Sequence, residues 1–120
     1  MVIAREGEDG ALLRSGPRVP AQLPPGFSVH PGAKIIANTV VQRREHTRSL
    51  LVMETTETIY EVMRFYRTQA RAAGLEVQVD LSGEDRASLG GHLKGGGDLT
   101  ISARREGATT RIELSGTRES

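Results

Sequence analysis

Apolar residues in this chain recur first in short β-branched runs, then at helical spacing, then at every second position. The helical stretch is the clearest. Ile59, Val62, Met63, Tyr66, Ala70 and Ala73 stand at i, i+3, i+4, i+7, i+11 and i+14, on one continuous stripe. Thr58 followed by Glu61 matches a capping box, in which the hydroxyl accepts from the N3 amide and the carboxylate returns to the cap amide. Gly74 supplies a left-handed stop, so the pattern predicts a helix over Ile59–Ala73. Glu61, Arg64, Thr68 and Arg71 fall on another face, and Tyr60 and Phe65 flank the stripe.

After Gly74 the period drops to two. Leu75, Val77, Val79 and Leu81 alternate with Glu76, Gln78 and Asp80, as in a half-buried strand. The alternation recurs in Leu89, Gly91, Leu93; in Leu99, Ile101, Ala103; and in Thr110, Ile112, Leu114. Turn chemistry at Ser82-Gly83-Glu84-Asp85, Gly95-Gly96-Gly97 and Arg105-Glu106-Gly107 separates these runs, which predicts a four-strand meander.

Before the helix, Lys34 to Gln42 is rich in β-branched residues, and polar Gln42 to His46 divides it from Ser49-Leu50-Leu51-Val52-Met53. Pro31-Gly32 ahead of the first strand has the composition of a type II turn. Each later strand has a polar face, so the sheet needs a cover on one side only, and the helix is the obvious cover. The expected fold is α+β, one amphipathic helix on an antiparallel sheet, in the order β-β-α-β-β-β-β over residues 26–118. Residues 1–25 read as an appendage. Val2-Ile3-Ala4 and Ala11-Leu12-Leu13 around Gly7-Glu8-Asp9-Gly10 suggest a small hairpin. Ser15 to Pro25 holds four of the five prolines and forms an arm.

Composition narrows the function more than it suggests one. Aromatics are only 3% of the chain, so the core is built from Val, Ile, Leu, Met and Ala. A net charge of +1 provides no field to gather nucleic acid or anionic membrane, and few aromatics are present for base stacking. The absence of cysteine removes disulfides, thiolate metal sites and cysteine nucleophiles together. No run approaches the roughly 20 apolar residues that a membrane-crossing helix requires. Met1-Val2-Ile3-Ala4-Arg5-Glu6 lacks the basic and long apolar parts of an export signal.

The residues that tempt a chemical reading resolve mostly into ordinary roles. Gly90 to Gly97 contains Lys94, yet a phosphate-binding P-loop needs its lysine after the last glycine and a helix behind it. A β-turn is the expected role. His30, His46 and His92 are far apart, and none has a second ligand at the spacing that preorganises a metal, so neither metal nor cofactor is expected. Ser28 and His30 lie two apart without a nameable orienting acid. Arg43, Arg44 and Arg48, together with Arg64, Arg67 and Arg71, offer an arginine surface suited to an acidic partner. Arg43, Arg44, Arg48, Arg64, Arg71 and His92 are therefore the candidate ligand- or partner-binding residues. No catalytic residues are nominated.

Two stretches resemble a known family. Leu23-Pro24-Pro25-Gly26-Phe27-Ser28-Val29-His30-Pro31-Gly32-Ala33 is similar to the Pro-Gly-Ala entry of a widespread bacterial domain found in envelope-associated proteins. Glu54-Thr55 through Val62 to Phe65-Tyr66-Arg67 resembles its Val-x-x-Phe-Tyr-Arg helix. His30 replaces the family's usual aromatic, and Ile59 its frequent proline. The resemblance implies a periplasmic or envelope location and a membrane anchor upstream of Met1. It transfers no catalytic residue. The expected function is a non-enzymatic binding or structural module for a protein or small ligand, with a small ligand-processing enzyme and a homo-oligomerisation module as alternatives.

Overall fold

The structure, a computed structural model, describes residues 5–6, 12–15, 23–24, 26–42 and 46–119. Arg43, Arg44 and the apolar patch Val2 to Ala4 lie outside them. In chain order the elements are β1 (Arg5–Glu6), β2 (Leu12–Ser15), β3 (Lys34–Gln42), β4 (His46–Thr55), α1 (Ile59–Ala73), β5 (Glu76–Ser82), β6 (Arg86–His92), β7 (Asp98–Glu106) and β8 (Thr109–Glu119). All strand pairings are antiparallel, and the sheet runs β1-β2-β3-β4-β8-β7-β6-β5. The last four strands form the expected meander, which closes back so that β8 lies beside β4.

One helix on an antiparallel sheet is the α+β arrangement anticipated from the sequence, and α1 keeps its expected bounds. The Glu61 amide donates to the Thr58 hydroxyl at 3.2 Å, and Gly74 ends the helix at φ +73°. Ile59, Val62, Met63, Tyr66 and Ala70 are buried, whereas Ala73 is half-buried. They meet the inner face of the sheet, where Leu51 and Met53 of β4 register with Leu114 and Ile112 of β8, and those with Ile101 and Ala103 of β7. Each large side chain removed from water there stabilises the fold by roughly 1.5–3 kcal/mol. Tyr66, fully enclosed, is held by its hydroxyl, which donates to the Ser28 carbonyl at 3.0 Å.

β5 departs from the expected half-buried strand. Leu75 is buried ahead of it, but all seven strand residues are exposed. A bulge between Val77 and Val79 breaks the alternation: Val77 registers with inner-face Gly91, whereas Val79 registers with Gly90 and Leu81 with Ser88 on the outer face. One additional residue in a bulge reverses the direction of every side chain beyond it. The same reversal brings Asp80 to the helix side. Gly91 makes the bulge feasible, because a Cβ there would lie 2.0 Å from the Glu76 carbonyl oxygen.

β4 also begins earlier than its apolar run, at His46, with Thr47 and Ser49 buried on the inner face beside Val40. Apolar content alone underestimates a strand whose inner positions hold small polar residues.

Candidate functional site

Two depressions flank α1. The first, about 430 Å³, lies between the N-terminal half of the helix and the β5–β6 hairpin. Ile59, Tyr60, Met63 and Ala87 line it with apolar surface, and Arg67 and Arg105 are its cations. Tyr60 stands 69% exposed at its edge. Volumes of this size suit small organic ligands, which favour apolar walls with a few convergent polar groups.

Both arginines are positioned by the chain itself. Because the bulge turns Asp80 inward, Arg67 Nη2 donates to Asp80 Oδ1 at 2.8 Å and to Ser82 Oγ at 2.7 Å, tying the helix to the edge strand. Arg67 Nε is nevertheless shut off from solvent without a hydrogen-bond partner. Leaving a buried charged donor unsatisfied is costly, and an atom shut off from solvent is not itself presented to the groove. Arg105 Nη1 donates to the Glu57 carbonyl at 3.2 Å and to Thr110 Oγ1 at 2.9 Å. The Thr110 hydroxyl in turn donates to the same carbonyl at 2.7 Å, so the loop entering α1 is pinned beside the groove.

The second depression, about 590 Å³, lies on the other flank of α1 and includes His30, Glu57, Arg64 and Phe65. His30 is only 7% exposed; its ring meets Phe65 edge-on at 4.9 Å and lies 6.2 Å from Tyr66. His30, Phe65 and Tyr66 thus form an aromatic cluster beside the helix. Ser28 locks this entry segment to the helix: its amide donates to Gln69 Oε1 at 3.1 Å, and Gln69 Nε2 donates to its hydroxyl at 2.8 Å. Burial pushes the Tyr66 phenol well above its ordinary pKa, against the opposing effect of a hydrogen bond from the His30 backbone.

The nominated candidates that lie among the described residues do not converge. Arg64 and Arg71 are exposed on α1. Arg48 is exposed on the opposite side of the sheet, where it registers with Val41 and Thr117. His92 ends β6 on that outer side and pairs through Nδ1 with Asp98. His30 sits under the helix, so the sheet separates it from His92. Among the described residues no three His, Asp or Glu side chains are grouped to hold a metal, and no helix is long and apolar enough to cross a membrane.

Arg105 was missed as a site residue because it reads as part of a turn. Its signal was present: continuing the Leu99, Ile101, Ala103 alternation one step places it on the inner face.

The model of a START domain-like family matches residues 35–116, from β3 through β8. No curated protein matches the chain. No solved structure matches it either.

Proposed function

The chain belongs to the START domain-like family, and from that premise we propose that it is a non-enzymatic ligand-binding module of the bacterial envelope, its ligand seated between α1 and the β5–β6 hairpin. The observation that carries this reading is the groove itself: apolar walls from Ile59, Tyr60 and Met63, with the side chains of Arg67 and Arg105 on the same lining. Such a site favours a small, mainly apolar molecule with one acidic group, the acid meeting Arg67 and Arg105.

The two cations of the groove suit holding an acidic group, with Glu84 also on the lining. Arg67 and Arg105 are both bonded to the chain. The envelope assignment rests on the resemblance of residues 23–33 and 54–67. Arg48, Arg64, Arg71 and His92 lie outside the groove, and their place in this reading is contact with an acidic partner protein.

The test uses 8-anilinonaphthalene-1-sulfonate, an apolar ring system with one anionic group. Saturable fluorescence enhancement is expected, with amide shifts at Ile59 to Met63 and Ser82 to Glu84. Tyr60→Ala, at an exposed position, should weaken binding without unfolding the domain. Shifts confined to other surfaces, or no saturation, would refute the groove assignment. Cell fractionation tests location separately: recovery of the native gene product in the cytosol alone contradicts the envelope reading.

A further inference from the structure

The sheet face turned away from α1 carries a row of like charges. Arg86 on β6 stands opposite Arg104 on β7, and Arg104 opposite Arg111 on β8. Side chains facing one another across neighbouring strands have Cβ atoms roughly 5 Å apart, and like charges at that spacing repel. The row therefore opposes folding unless something neutralises it.

Carboxylates of the chain do so only in part. Glu106 Oε2 accepts from Arg104 Nη2 at 2.8 Å. Glu113 Oε1 lies 3.5 Å from Arg111 Nε, and that nitrogen is shut off from solvent with no hydrogen-bond partner. Arg86 has neither an ion pair nor a hydrogen bond to a side chain among the described residues. Glu54 stands opposite Arg111 on its far side, but it also faces Lys34.

The row borders a depression of about 190 Å³ that also includes Ser88 and Ser102, whose hydroxyl oxygens lie 3.5 Å apart. Next to Ser88 in register is Leu81, 65% exposed, with Val79 on the same face. Cations, hydroxyls and an apolar shelf thus adjoin on one open surface.

We infer that this outer face is a second binding site, which takes a small phosphate monoester: Arg86, Arg104 and Arg111 receive the phosphate, and Leu81 and Val79 support the apolar body of the ligand. A phosphate dianion presents three terminal oxygens to arginine forks on three strands, more than a carboxylate can offer. Beyond the phosphate, the remainder of the ligand extends over Leu81, which adjoins Ser88 in register. This site is separated by the sheet from the groove under α1, and either assignment can fail without the other.

The test titrates inorganic phosphate and phenyl phosphate, and separately phosphatidylglycerol vesicles, at constant ionic strength, into the wild-type chain, Arg86→Gln and Leu81→Ser. Thermal unfolding and amide shifts are recorded. Both anions should raise the wild-type melting temperature and shift the amides of Arg86, Ser88, Ser102 and Arg104 saturably. Phenyl phosphate should bind more tightly than inorganic phosphate. Arg86→Gln should weaken binding about tenfold, the loss of one charge-assisted contact. It should not lower the ligand-free melting temperature, since it removes a repelling charge; a purely structural arginine would lower it. Leu81→Ser should remove the advantage of phenyl phosphate and leave inorganic phosphate unaffected. Three outcomes overturn the proposal: no saturation, equal binding by Arg86→Gln, or binding only to phosphatidylglycerol vesicles without response to phenyl phosphate.

Discussion

Substituting Gly91 by alanine tests whether the bulge in β5 organises this end of the sheet. An added Cβ would lie 2.0 Å from the Glu76 oxygen, 2.8 Å from its carbonyl carbon and 3.0 Å from Val77 Cα. Comfortable separation between carbons is about 3.5 Å, so the start of β5 must retreat by more than 1 Å, roughly. The obstacle is backbone, which no rotamer change can clear. Because β5 is an edge strand paired only with β6, the cheapest response is to detach Glu76 and Val77 from His92 and Gly91. Overpacking costs about 1–3 kcal/mol and a lost ladder bond about 1 kcal/mol, giving roughly 2–4 kcal/mol if one bond is lost. That is a large fraction of the roughly 5–15 kcal/mol typical of a domain, yet it leaves the chain folded. Urea unfolding followed by circular dichroism measures the loss, and hydrogen exchange at Glu76 to Val79 locates it. Gly95→Ala is the control: its φ of +98° imposes backbone strain, but no atom lies within 4 Å of the new Cβ. A Gly91→Ala variant within about 0.5 kcal/mol of wild type, with exchange at Glu76 unchanged, would refute the close-approach argument.

Other perturbations test the helix and its anchors. Thr58→Ala removes the acceptor of the Glu61 amide and should cost about 1 kcal/mol in urea unfolding, with fraying confined to the first turn of α1. Tyr66→Phe deletes the bond to the Ser28 carbonyl and should cost about 0.5–1.5 kcal/mol while preserving the ring packing. The same phenol predicts a pH dependence. Its ordinary pKa is 10.0 and burial raises it, so the unfolded chain releases the proton first. The stability it confers is complete below pH 10 and is lost as pH rises above that value, by at most about 1.4 kcal/mol per pH unit. Alkaline unfolding should therefore be less steep in Tyr66→Phe, and identical profiles would exclude this residue as the cause. Met53→Ala, beneath Tyr66 in the core, should cost about 2–5 kcal/mol by calorimetry.

What the chain determined by itself is what depends on neighbours within a few residues. Thr58, Glu61 and Gly74 terminate α1 through bonds and a backbone angle local to each end, and the stripe from Ile59 to Ala70 selects its buried face. Alternation in β7 and β8 likewise revealed Leu99, Ile101, Ile112 and Leu114 as core. The direction of Val79 and Leu81 was not legible, because it follows from a one-residue slip against β6 that the alternation of β5 does not record. The site residues depended on tertiary structure for the same reason. Arg67 meets Asp80 only after the bulge turns Asp80 inward, and Arg86, Arg104 and Arg111 form a row only once the registers of β6, β7 and β8 are set. Local patterns determine which face of an element is apolar, whereas strand register, a relation between distant segments, decides which charged groups meet.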